Sequence, residues 1–426
     1  MQLFHIIAIL ISLAALFSWV NYRFFHMPTA IGLMTIALLM SLGLIILGKS
    51  GYSVVREDIE WMLSSIDFNA TLLHGMLSFL LFAGALHINL EDLAKQRVVI
   101  AVLATASVVG ATFMIGFGTW LITELVGLDI PFIYCMLFGA LISPTDPIAV
   151  LGILKTAGAS KSLETKIAGE SLFNDGIAVV VFLAIAEIAA GTRTVTAETI
   201  LHIFATEVAG GAFYGFVLGG VGFWMLKKVD NYSVEILITL AMTTGGYALA
   251  ELLHLSAPIA IVVAGLLIGN HGRRLAMSRL TREHLDTFWE MIDEILNAVL
   301  FVLIGLEVVL VSLDEKYLLA GALAIPLVLI ARLISVALPI GIMRRFRSFS
   351  LGVVSILTWG GLRGGISVAL ALSLPQGYVR DSLVTITYMV VVFSVLVQGL
   401  TLAPLVRAKA VRAEVELERT RLEVAE

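Results

Sequence analysis

Residues 141–150, LISPTDPIAV, set Pro144 and Pro147 on either side of Thr145 and Asp146, inside an apolar run that extends from 131 to 154. Each proline lacks an amide donor and its ring crowds the preceding turn, so an unbroken helix through this run is not expected. The surroundings decide what the break means. The chain has 426 residues, 59% hydrophobic and 14% charged, with a mean hydropathy of +1.00, where soluble domains carry about a quarter charged residues. Its apolar runs are about as long as a helix needs to cross a hydrocarbon core of roughly 30 Å, and the alternation of a β-barrel is absent. The fold class is therefore an all-α polytopic membrane protein whose solvent partner is the lipid bilayer. Unwound backbone at membrane depth is tolerated only where it lines protein or a water-filled cavity, so the break predicts a site.

Apolar runs outline thirteen spans: 3–20, 29–48, 70–88, 98–123, 131–154, 167–190, 198–226, 233–252, 257–270, 290–312, 317–343, 351–373 and 382–406. The first lacks a basic leader and a convincing cleavage site, and reads as a retained helix. The ninth is short and contains Pro258, so merging it with the eighth is the alternative count. Charge bias decides between them. Loops after odd-numbered spans, with the tail, carry twenty Lys and Arg residues, among them Lys155, Lys161, Arg273, Arg274 and Arg344; loops after even-numbered spans carry Lys49, Arg56, Arg193, Lys316 and Arg380. The positive-inside rule then places the N-terminus outside and the C-terminus in the cytoplasm. With twelve spans the basic loop 271–282 would break the pattern. Residues 1–406 form the membrane domain, and 407–426 a short, charged, helical cytoplasmic tail. Cys135 is the one cysteine, sits in an apolar run and reads as packing.

Seven spans after the first break, TWGGLRGGISVALALSLP at 358–375 puts four glycines around Arg363. Equivalent segments an odd number of spans apart enter the membrane from opposite sides, as inverted repeats require. Interrupted helices at matching places in two halves point to a transporter's substrate site. The alternative is simple kinking and close packing. Asp146 and Arg363 also suit a structural use, offsetting the partial charges of the half-helix ends that the breaks create.

An ionisable side chain near the bilayer centre costs about 2.5 to 3.5 kcal/mol on insertion scales. The deep candidates are Asp146, Glu170, Asp175, Arg332 and Arg363. In GESLFNDGIAVVVF at 169–182, Glu170, Ser171, Asn174 and Asp175 share one helix face. Arg332 in span eleven needs an acid, and Glu170 is assigned to it as a buried, bidentate bridge. Asp175 remains without an obvious permanent cation, and such a group holds a proton or a cation but not easily both. Hard monovalent cations want oxygen ligands, which Asp175, Asn174, Ser171 and Thr145 supply. Glu124, Glu251, His254 and Glu307 lie near span ends and are expected to reach the interfaces. No phosphate loop, redox cysteine pair or zinc-protease motif occurs, so no enzyme activity, cofactor, ATP or nucleic-acid partner is expected.

The motifs SPTDPIAV (143–150), GESLFNDGIAVVVF (169–182), AGLLIGN (264–270), FWEMIDEILNAVLFVLIGLE (288–307), ARLISV (331–336) and WGGLRGGISVALALSLP (359–375) resemble, in order and spacing, the NhaP-type bacterial sodium/proton antiporters, relatives of the eukaryotic NHE exchangers. The resemblance implies thirteen helices in two inverted six-helix repeats, about 1–190 and 233–406, with helices 5 and 12 interrupted. It implies a homodimer in the plasma (inner) membrane, with a core domain moving against a dimerisation domain. It assigns proton and cation exchange, with Na+ or Li+ as the ion, to Asp175, with Asn174, Ser171 and Thr145 beside it, and a structural ion pair to Glu170 and Arg332. An Asn-Asp pair implies electroneutral, one-for-one exchange. Relatives often carry LLFEAAL in span three; here LLFAGAL puts Ala83 where that glutamate stands. K+/H+ exchange, a non-transporting ion or pH sensor and a passive channel are the competing readings.

Overall fold

The structure is a computed structural model that describes residues 3–49, 70–191, 204–312, 314–347, 349 and 352–409. No strand occurs among the described residues, and the described parts of all thirteen expected spans lie on helix, interrupted at the two breaks; residues 198–203 of span seven and 351 of span twelve lie outside the described residues. Spans one and two are α1 (Leu3–Val20) and α2 (Thr29–Lys49). Span three is α3 (Leu77–His87), reached through a π-helical stretch, Ala70–Met76. Span four is α4 (Leu90–Ala104) and α5 (Ala106–Val126), which join at Thr105. The Thr105 hydroxyl donates to the Ala101 carbonyl at 2.6 Å, a back-bond that bends a helix. Span five is split into α6 (Phe132–Ile142) and α7 (Ile148–Thr156), and span six is α8 (Lys161–Ala189). There follow α9 (Gly210–Leu226), α10 (Tyr232–Leu252), α11 (Ala257–Leu267), α12 (Arg279–Glu307) and α13 (Glu315–Met343). Span twelve is split into α14 (Val353–Trp359) and α15 (Gly365–Leu372), and α16 (Tyr378–Phe393) runs on as helix to Lys409.

Among the described residues, eight continuous helical stretches are long and apolar enough to cross a membrane, among them α4 joined to α5 (Leu90–Val126), Ala205–Leu226 and Tyr378–Lys409. The others fall short for visible reasons: α6/α7 and α14/α15 are broken, α3 and α11 are short, and the first half of α12 is charged. Pro258 stands in the first turn of α11, where a missing donor costs little. A tight turn with His254 at φ 54° separates α11 from α10, so spans eight and nine are distinct. Helices α8 and α12 begin well before their apolar runs, because their charged first turns continue the helix beyond the hydrocarbon region. Arg56, Arg193 and the expected helical tail beyond 409 lie outside the described residues.

Packing divides the helices into two groups. Helices α4 to α8 and α13 to α16 make six spans that pack chiefly on one another. In the flanking group, α9 and α10 lie on α11, α11 lies on α3, and α12 lies on α2 and α3. Here Gly211, Gly215 and Gly219 bring α9 onto the Ser256, Ala260 and Ala264 backbone, the small-residue packing of membrane helices. The groups meet along a seam where α8 touches α3 and α11, and α12 touches α15.

Candidate functional site

The two broken spans cross at their breaks. Residues 143–147 meet residues 360–364, and the Asp146 amide donates to the Leu362 carbonyl at 2.8 Å. The freed Arg363 amide donates to Ser394 Oγ at 2.9 Å. Arg363, 2% exposed, sends Nη1 to the carbonyls of Ser143 and of Pro144, the latter at 2.9 Å. The half-helix charges are thus served crosswise. Arg363 of span twelve covers the negative C-terminal end of α6, and the Asp146 carboxylate rests against Gly364 at the start of α15. A Cβ on Gly364 would collide with that carboxylate, and one on Gly361 would stand 2.6 Å from Arg332 Nε. Glycine at these two positions is what lets charged side chains approach the crossing.

Helix α8 passes beside the crossing with its polar face inward. Thr145 Oγ1, in the first break, accepts from Asn174 Nδ2 at 2.9 Å and shares a 3.0 Å hydrogen bond with Ser171 Oγ. Asn174 Oδ1 is buried and has no hydrogen-bond partner among the described residues. Asp175, 6% exposed, follows Asn174 on α8, lines the same cavity as Thr145 and Asp146 and makes no ion pair among the described residues. Thr145, Ser171, Asn174 and Asp175 are therefore brought together, with Asp146 close by. Farther round α8, Glu170 Oε1 meets Arg332 Nη1 at 2.5 Å. The bridge is not the bidentate fork expected from residue types. Arg332 Nε and Nη2 instead donate to the Leu357 carbonyl at 3.3 and 3.2 Å, near the end of α14. One guanidinium thus ties α8, α13 and α14 together.

A cavity of about 630 Å³ reaches this cluster along the seam. Its deep wall holds Thr145, Asp146, Asp175 and Ser367; its mouth lies near Asn89, Lys155 and Lys161. Ala83 faces the cavity and brings no ligand. Sequence reasoning did not single out Glu290, Asp293 and Glu294 of α12, which also line it. Their i, i+3, i+4 spacing was the available signal. Glu307, expected near an interface, is buried at 6% exposure, because α16 packs close to the end of α12, with Thr385 Oγ1 donating to the Ser312 carbonyl at 3.3 Å.

Comparison with known proteins agrees with this architecture. A family model described as "Sodium/hydrogen exchanger, transmembrane" matches residues 9–408. The chain is 50% identical over 406 residues to the Na+/H+ antiporter NhaP of Pseudomonas aeruginosa, covering 94% of this chain and 96% of that protein. It is 35% identical over 369 residues to the Na+/H+ antiporter NhaH of Halobacillus dabanensis, covering 85% and 89%. Among solved structures, the sodium proton antiporter MjNhaP1 from Methanocaldococcus jannaschii matches with a TM-score of 0.74 over 95% of this chain and 99% of that one. The sequence identity is 18%, so this is a likeness of fold.

Proposed function

The chain belongs to the sodium/hydrogen exchanger family, and from that membership we propose that it exchanges Na+ or Li+ for H+ one for one across the plasma membrane, with Asp175 as the shared carrier. The observation that carries this reading is Asp175 itself: a buried carboxylate on a cavity shared with Thr145, next to Asn174, with no ion pair among the described residues. A bare carboxylate in a low-dielectric site is costly, and a proton or an alkali cation relieves the cost. The cation keeps oxygen ligands from the neutral neighbours. Either occupant cancels the charge, so the two loaded forms carry the same net charge. Asn174 adds none, which is the physical basis of a one-for-one, electroneutral cycle. The empty, charged form is penalised on crossing the seam, which couples the two fluxes.

Glu170 and Arg332 hold the site in shape, while Asp146 and Arg363 compensate the opposed half-helix ends. The N-terminus lies outside and the cavity mouth, near Lys155 and Lys161, in the cytoplasm, as the basic-residue bias supports. The structure then represents the inward-facing state. Inverted repeats of about 1–190 and 233–406 give each broken helix its counterpart. The six-span group moves against the flanking group, through which two copies pair. In proteoliposomes with an imposed proton gradient, Na+ or Li+ addition dequenches a pH-sensitive dye for the native chain and not for Asp175→Asn. Full exchange in the variant would overturn the reading, and K+ in the same assay settles the ion.

A further inference from the structure

The cavity has a second polar region that the exchange mechanism leaves unused. Asp293, half-buried, lines it from the flanking group, on the side of the seam opposite Asp175. Ser367 lines it from the first turn of α15, is 1% exposed, and its Oγ has no hydrogen-bond partner among the described residues. Helices α12 and α15 touch here: a Cβ on Gly365 would stand 2.6 Å from Leu300 Cδ1. Asp293, Asn297 and Leu300 fall on one face of α12 at i, i+4, i+7 spacing. Asn297 is 7% exposed and its Oδ1 is likewise unpartnered among the described residues. Asp146 lines the same cavity as Asp175 and Asp293. By contrast, the carboxylate nearer the mouth, Asp92, is already held by Lys95 at 3.2 Å and Lys161 at 2.9 Å.

We infer that Asp293 and Ser367 form a transit site for a partly hydrated alkali cation, occupied between the cytoplasmic mouth and Asp175. The inference rests on the antiport reading and deepens it. A buried hydroxyl with no partner costs free energy that an ion or its water relieves. A carboxylate on the opposite wall supplies the charge that attracts an ion from the mouth. No three His, Cys, Asp or Glu side chains among the described residues converge on one point, which suits brief residence rather than chelation. Because Asp293 belongs to the flanking group and Asp175 to the six-span group, movement along the seam separates the two carboxylates. The transit site therefore feeds Asp175 in the inward-facing state alone.

The test uses the full chain in proteoliposomes, with dye-detected exchange measured against Na+ concentration at fixed pH and at two levels of choline chloride. Asp293→Asn is expected to raise the half-saturating Na+ concentration about fivefold with the maximal rate held within about twofold; Ser367→Ala shifts it about twofold in the same direction, and Asp293→Glu stays near the native value. These shifts persist in high choline, whereas a diffuse surface field is screened. An unchanged half-saturation in Asp293→Asn and Ser367→Ala overturns the inference, as does an equal shift from Glu290→Gln, which removes a charge from the same wall. A misfolded Asp293→Asn is recognised by size-exclusion profile, and Ser367→Ala with Asp293→Glu then decides. Absence of Na+-driven exchange in the native protein is a different failure, that of the antiport reading.

Discussion

The six-span group and the flanking group are built from the same apolar alphabet, yet they use polar residues in opposite ways. In the six-span group the interior carries Glu170, Arg332, Asp146, Arg363 and Asp175, held around two broken helices. In the flanking group, close packing dominates: glycines of α9 on the backbone of α11, and Phe82 against Trp289 with ring centres 4.7 Å apart. Trp289 Nε1 closes a 3.1 Å bond to Thr239 Oγ1, so even its polar atom is spent inside the packing. The difference teaches where transport is concentrated. Substitutions around the broken helices of the first group should alter ion exchange, and those in the close-packed contacts of the second, away from the α12 face that lines the cavity, should alter stability with ion response intact.

The largest effect is expected from Asp175→Asn, which leaves no group to alternate between proton and cation. Its exchange rate should fall by about a hundredfold or more in proteoliposomes, the scale on which loss of an essential group is read. Next comes Arg332→Ala, which strands a buried Glu170 and two contacts to Leu357. Breaking a buried pair costs about 3–5 kcal/mol, to be seen as a lowered melting temperature in detergent. Gly364→Ala forces Asp146 away from the start of α15; overpacking of this kind costs about 1–3 kcal/mol and should slow exchange with both Na+ and Li+.

These three differ in how far the sequence foretold them. The breaks were legible because proline and glycine act on their own backbone, whatever surrounds them. The Glu170–Arg332 bridge was legible because two opposite charges buried in apolar runs must find partners. The crosswise service of the helix ends was not legible, since each charge sits beside its own break in sequence and crosses to the other only in three dimensions. The α12 acids stood in plain view at the start of the expected span 290–312 but were not singled out, because the sequence does not say what that helix face meets. Only the packing of α3, α8 and α15 turns that face toward the cavity. Glu307 was misjudged because position along a span says nothing of what covers its end.

Smaller effects sharpen the comparison. Thr145→Val removes the hydroxyl that accepts from Asn174 and bonds Ser171, and should raise the half-saturating Na+ concentration by about three- to tenfold, with a stability cost of about 1–3 kcal/mol from the stranded Asn174 amide. In the flanking group, Trp289→Phe deletes one buried hydrogen bond and should cost about 1 kcal/mol of stability, leaving the Na+ half-saturation at its native value. A shifted Na+ response in the tryptophan variant, with Thr145→Val silent, would erase the division of labour between the two groups.

The central claim is that proton and cation compete for one carboxylate, Asp175. The direct measurement is the half-saturating Na+ concentration for exchange as a function of pH, with the same pH on both sides of the membrane at the start. Competition predicts that, at pH values where the proton dominates, half-saturation rises about tenfold for each pH unit of acidification, while the maximal rate at saturating Na+ is recovered. A half-saturating concentration independent of pH across the active range would contradict the account.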